Sequence, residues 1–131
     1  MNTDDFGKLV LRLTVGGLIL FHGVHKILTG IEPIRGMLEA HGLPAFLAHG
    51  VYAGEVAAPI LIILGVVSRL GGALIVVDMI VAIVLAGTAK LLAVNAMGGY
   101  ALELEMFFLL GGLSVALLGA GRFGLGGETL N

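Results

Sequence analysis

The chain has 131 residues, a formal net charge of −2 and a mean hydropathy of +1.08. Hydrophobic residues make up 58% of it and charged residues only 12%, far below the roughly one quarter that is usual in soluble domains. So little charge argues against a soluble fold, and no basic excess points to nucleic acid. Because the chain contains no cysteine, thiol–disulfide chemistry and cysteine-ligated metal sites are excluded within it.

Four apolar runs predict membrane-spanning helices at roughly 6–28, 50–67, 70–89 and 101–120. A helix of about 20 residues, rising ~1.5 Å per residue, matches the ~30 Å hydrocarbon core of a bilayer. We therefore predict an all-α, integral membrane four-helix bundle that forms a single domain over residues 1–131. The first run follows an acidic N terminus, so we expect a retained span rather than a cleaved signal peptide.

The connections between the runs also carry signals. Between the first two spans, the stretch 34–40 has amphipathic spacing and is followed by Pro44, which predicts a short interfacial helix. The polar break Ser68–Arg69 predicts a tight antiparallel hairpin between the second and third spans. Glycine pairs at 16–17, 71–72 and 111–112 predict close contacts between helices.

Four spans would put both termini on the same side of the membrane. The terminal side would then carry four basic residues and the opposite side three, a weak excess that favours cytoplasmic termini. The four are Lys8, Arg12, Arg69 and Arg122, and the three are Lys26, Arg35 and Lys90.

Span order brings several ionisable residues to the end of the bundle opposite the termini. His22 and Lys26 close the first span and lie about 40° apart around its axis at ~100° per residue. Glu55 begins the second span, and Pro59 frees its carbonyl group from the usual helical hydrogen bond. Glu103 begins the fourth span on a face that suggests a packed interior. We predict a polar cluster of these four ionisable side chains, whose role is either functional or a structural link between helices.

Two further groups of residues are candidates for a structural or a functional role. Arg12 and Asp78 lie inside the first and third spans, and a structural ion pair between them would satisfy both charges, the alternative being a proton-relay step. His22 and His25, three residues apart, are weak candidates for a metal site, and axial ligation of haem by His22 is no stronger. No catalytic residue is assigned.

The order and spacing of these motifs resemble the DoxX family over nearly the whole chain. The motifs are Leu11-Arg12-Leu13, His22-Gly23 with Lys26, Gly54-Glu55, Leu64 to Leu70, Tyr100 with Glu103, and Leu118 to Arg122. The resemblance implies a multi-pass, four-helix protein of the bacterial inner membrane with relatives in membrane redox complexes. It also implies recurrent polar positions at Arg12, His22, Lys26, Glu55, Arg69 and Glu103, whereas Lys90 stands where relatives often carry histidine.

The leading functional hypothesis is an accessory or quinone-linked subunit of a membrane redox system, rather than a stand-alone enzyme. The cofactor is left unassigned, with quinone as a candidate ahead of haem or metal. The expected partners are the lipid bilayer, other membrane or redox proteins, or further copies of the chain, and no nucleic acid. The alternatives are a small-solute or proton pathway and a purely structural or assembly subunit.

Overall fold

A computed structural model describes residues 2–127 and 131. In that part of the chain the structure is helical with connecting loops and no strand, apart from an isolated antiparallel bridge between Val94 and Tyr100. The first helix, α1, spans Thr3–Thr29. Its N-cap Asn2 accepts a hydrogen bond from the Asp5 backbone N–H at 2.8 Å, with acidic residues in the first turn and Lys26 in the last. Both features stabilise a helix through its unpaired end groups and its dipole.

The predicted amphipathic segment forms a short helix, α2, over Glu32–Ala40. Its buried Leu38 joins an apolar cluster with residues of the following segments. The members of this cluster are Ile31, Leu38, Ala48, Val51 and Leu85. Helix α2 is therefore packed onto the rest of the protein through one face.

The second long helix, α3, spans Ala45–Leu64 and is irregular. It begins as a 3₁₀ helix over Ala45–His49, continues through one α turn, widens into a π helix over Ala53–Ala57 and ends as an α-helix over Ala58–Leu64. The widening coincides with Pro59, which has no N–H for the usual bond to the Glu55 carbonyl group. In the π turn the Ala58 N–H bonds instead to the Ala53 carbonyl group, five residues earlier.

The third long helix, α4, spans Ser68–Ala86 and follows α3 after a three-residue turn. Gly65 and Val67 both adopt left-handed backbone conformations there, with φ values of 72° and 48°. The antiparallel hairpin is as predicted, but the break lies at 65–67, because the left-handed residues end α3 there and Ser68 already belongs to α4. After Ala86 a 3₁₀ helix, Thr88–Leu92, and a loop lead to the last helix.

The last helix, α5, spans Glu103–Leu118 and packs most extensively on α4. Its 16 residues rise about 24 Å, less than the hydrocarbon thickness. Within the described residues, three helices are long and apolar enough to cross a membrane: α1, α3 and α4. The observed bounds of the last three helices fall within a few residues of the predicted runs.

Glycine controls how closely the long helices approach. A Cβ atom at Gly23 of α1 would overlap the Glu55 carbonyl group of α3, and one at Gly72 of α4 would overlap the Gly112 carbonyl group of α5. Of the predicted contact glycines in the three pairs, only Gly17 has open space around it. The central core fills the space between these contacts with Val15, Ile19, Ala58, Ile62, Ile75, Met79, Phe108 and Val115.

The contact of α1 with α3 can be tested by adding one methyl group. We expect Gly23→Ala to lower the free energy of unfolding by about 2 kcal/mol, because the new methyl group meets backbone that cannot move aside easily. Gly17→Ala, on the same helix with no atom within 4 Å of its Cβ position, is the matched control and should be neutral or stabilising. Thermal unfolding in detergent measures both, and equal melting temperatures would contradict the close contact.

Candidate functional site

An ion pair between α1 and α3 forms the centre of the candidate site. The Lys26 ammonium group donates to Glu55 Oε1 at 2.5 Å. The Glu55 side chain is only 6% exposed, whereas that of Lys26 is 26% exposed. Because Glu55 lies in the π helix of α3, the widened turn directs its carboxylate toward the last turn of α1. The Tyr52 hydroxyl group donates to the Lys26 carbonyl group at 3.4 Å and adds a second link between these helices.

A second carboxylate reaches the pair from α4. The side chain of Asp78 packs directly on the backbone of Gly54, where any Cβ atom would overlap it. This approach places Asp78 beside Glu55, the residue that follows Gly54, and both side chains line the same cavity. Asp78 Oδ2 is buried and has no hydrogen-bond partner among the described residues. Lys26, Glu55 and Asp78, from three different helices, are hereafter called the charged triad.

The triad forms the polar part of a cavity of about 500 Å³. Apart from the triad and Glu105, its lining consists of apolar residues and glycine. Two lining residues of α4, Val77 and Val81, are 58% and 44% exposed, so the cavity opens sideways on the apolar outer surface of the helices. Helix α2 covers another side through Ile34, Met37 and Leu38. This volume lies in the usual range for small-molecule sites, which are mostly apolar with a few polar groups.

A smaller cavity of about 120 Å³ lies against the same ion pair. Lys26 and Glu55 line both cavities, and the smaller one adds His22 of α1 and Phe108 of α5. The His22 ring meets the Phe108 ring edge to face, with centroids 5.8 Å apart. Glu105, in the first turn of α5, lines both cavities as well.

The structure brings three residues of the predicted cluster together and leaves the fourth outside. His22, Lys26 and Glu55 line the smaller cavity, but Glu103 is exposed and lies beside Gly99 and Asn95 in the loop before α5. Glu105 takes the place predicted for Glu103. The two glutamates lie about 200° apart around the helix, so only one of them can face the bundle.

The predicted ion pair between Arg12 and Asp78 does not form. Arg12 is fully buried, and its guanidinium donates to the carbonyl groups of Ile62 at 2.9 Å, Ile63 at 3.3 Å and Phe123 at 3.3 Å. The α1 residue level with Glu55 is Gly23, eleven residues beyond Arg12, which corresponds to about 16 Å of helix rise. Arg12 therefore holds the end of α3 and the tail that follows α5, while Asp78 joins the charged triad.

The remaining histidines do not form a cluster with other ligand types. His25 and His41 are exposed, and His41 Nδ1 lies 2.8 Å from the Met37 carbonyl oxygen of its own helix. His49 Nε2 lies 3.2 Å from the Arg35 guanidinium. Among residues 2–127 and 131, no group of three or more potential ligands is arranged to hold a metal ion, so His22 and His25 lack further ligands. Lys90 is exposed in the 3₁₀ helix after α4.

Comparisons with known proteins agree with the resemblance seen in the sequence. The family model for DoxX matches residues 7–88. A Bacillus subtilis (strain 168) protein named "Putative oxidoreductase CatD" is 32% identical over 116 residues, which cover 88% of this chain and 81% of that protein. No solved structure matches the chain significantly.

The anchoring role of Arg12 predicts a structural defect on its replacement. Arg12→Met retains a long apolar stem but removes the donors to the Ile62, Ile63 and Phe123 carbonyl groups, which we expect to cost about 3 kcal/mol of unfolding free energy. The tail at 119–127 should become sensitive to protease at the same time. The exposed Arg122→Met is the control. An unchanged melting temperature and a protected tail in Arg12→Met would refute the anchor.

Proposed function

The chain belongs to the DoxX family, and on that premise we propose that it binds quinone in the large cavity as an accessory subunit of a membrane redox system. The observation that carries the proposal is the combination of an apolar cavity of about 500 Å³ with the charged triad at one side of it. A quinone has the same two parts, a polar ring with carbonyl oxygens and an apolar substituent.

The chemistry of the triad supports recognition of a carbonyl oxygen. Lys26 has three N–H donors, and the contact with Glu55 Oε1 uses one of them. A ring oxygen that reaches the triad would receive a charge-assisted hydrogen bond, the strong kind in an apolar site. The sideways opening beside Val77 and Val81 gives an apolar tail a way out toward lipid.

The proposed redox role is also supported by the similarity to the Bacillus subtilis protein, which is named as an oxidoreductase. This chain has no cysteine to carry electrons as a thiol–disulfide couple. We therefore infer that electrons come from a partner protein, and that the chain supplies the quinone site rather than a complete enzyme. A second copy of the chain or another membrane subunit is the expected neighbour.

We further propose that the chain crosses the bacterial inner membrane four times as one domain. Helix α5 would be the fourth span: it runs antiparallel to α4 along most of its length, and its glutamates are confined to the first turn. A hydrogen bond from the Arg122 N–H to Asp5 Oδ1 joins the tail to the start of α1, which supports an even number of crossings. Helix α2, which buries Leu38 and exposes Glu32 and Glu39, would lie at the outer interface.

Quinone binding is tested with a soluble short-chain quinone and the purified protein in detergent. We expect Lys26→Met to weaken binding roughly tenfold, because a charge-assisted hydrogen bond contributes about 1.5–3 kcal/mol. Glu103→Gln, outside both cavities, is the control and should bind as the unaltered protein does. Absence of binding by the unaltered, folded protein would contradict the proposal and favour a structural or assembly subunit.

The topology can be tested cleanly because the chain has no cysteine background. Single cysteines at Met97 and Leu125, which are 95% and 77% exposed, report on the two ends of the bundle. With four spans and cytoplasmic termini, a membrane-impermeant thiol reagent should label Met97→Cys in intact spheroplasts and Leu125→Cys only after permeabilisation. Labelling of Leu125→Cys in intact spheroplasts would overturn this orientation.

A further inference from the structure

The charged triad carries one more negative charge than positive charge when both carboxyl groups are ionised. The Lys26 ammonium group contacts Glu55, while the neighbouring Asp78 has a buried Oδ2 atom without a partner among the described residues. An uncompensated charge inside an apolar bundle is strongly unfavourable. A single proton held between the two carboxyl groups removes that charge and supplies the missing hydrogen-bond donor.

We propose that Glu55 and Asp78 share one proton, and that the smaller cavity, lined by His22 and Glu105, is the route by which this proton exchanges with water. Only the role of this proton toward a ligand rests on the proposed function, since a quinone oxygen at the triad would meet the shared proton. The sharing and the route are properties of the ligand-free chain.

The positions of the two cavities support separate paths for ligand and proton. Asp78 lines the large cavity, and Lys26 with Glu55 stands between the large and the small cavity. The small cavity, at about 120 Å³, has room for about four waters at ~30 Å³ each. It is lined by Glu105 in the first turn of α5, next to the loop that leaves the bundle. A ligand can therefore enter sideways through apolar residues while the proton moves along the polar side.

Four helices bring titratable groups to the region of the shared proton. Helix α1 contributes His22 and Lys26, α4 contributes Asp78 and α5 contributes Glu105. Helix α3 contributes Glu55 and Tyr52, whose hydroxyl group donates to the Lys26 carbonyl group. Helix α2 contributes only apolar residues to the large cavity. Among these groups, Glu55 and Asp78 are the neighbouring carboxyl groups that can hold a proton between them.

Infrared spectroscopy of the ligand-free protein in lipid at neutral pH tests the shared proton directly. A protonated carboxyl group gives a C=O stretching band that moves in heavy water, whereas ionised carboxylates give none there. We expect this band in the unaltered protein and in Glu103→Gln, and its loss in both Asp78→Asn and Glu55→Gln. Loss in both variants supports sharing, because either single carboxyl group left beside Lys26 should ionise. Absence of the band from the unaltered protein, or its persistence in both variants, overturns the proposal.

The exchange route is tested by the rate at which the same band shifts after transfer to heavy water. We expect Glu105→Gln and His22→Asn to slow the shift several-fold while leaving the band in place, and Glu103→Gln to leave the rate unchanged. Unchanged rates in the first two variants would refute the route. Melting temperatures identify any variant that fails to fold. No quinone is added in these experiments. A band without quinone binding therefore upholds the shared proton and refutes only the proposed function. Quinone binding without a band refutes the shared proton and leaves the proposed function standing.

Discussion

The structure depends on one constraint: a charged group inside the hydrocarbon region must find its partners within the protein, since neither lipid nor water supplies them there. The chain meets this constraint at two levels of the bundle. Near the termini, Arg12 has no carboxylate and is held by backbone carbonyl groups that α3 and the tail would otherwise leave unpaired. Toward the other end, Lys26 is held by Glu55. The second level also places a second carboxyl group, Asp78, beside this pair.

The irregular backbone of α3 and two glycines, Gly23 and Gly54, lie together at the charged triad. Gly23 allows α1 to lie against the Glu55 carbonyl group, and Gly54 allows Asp78 to lie against α3. Gly54 itself lies in the π turn, which widens α3 by one residue. Such widened turns are rare and occur frequently at functional sites. A regular helix with alanine at both positions would keep the helices apart and separate the three charges.

Apolar run length predicted the long helices well, because burial in lipid leaves little choice other than a helix. The site was harder to predict, because it depends on register and rotation. Glu55 and Asp78 lie eleven and twelve residues from the centre of the turn at Val66, so an antiparallel hairpin puts them at one level. The predicted pair of Asp78 with Arg12 did not take this spacing into account. The choice between Glu103 and Glu105 required knowing which face of α5 meets α1, and hydrophobicity hardly differs between the faces of that helix. The partners of Arg12 are backbone carbonyl groups, which every residue type has, so residue identities do not reveal them.

The bond from Arg12 to the Phe123 carbonyl group joins residues separated by 111 positions, and this has a consequence for biogenesis. Helix α1 is therefore synthesised well before one of the buried partners of its guanidinium. During synthesis the guanidinium therefore lacks one of its three hydrogen-bond acceptors while helices α2 to α5 are still being made. The packing around Arg12 is thus completed only when the segment at Phe123 is in place, and a chain interrupted before it would leave the guanidinium without that carbonyl group.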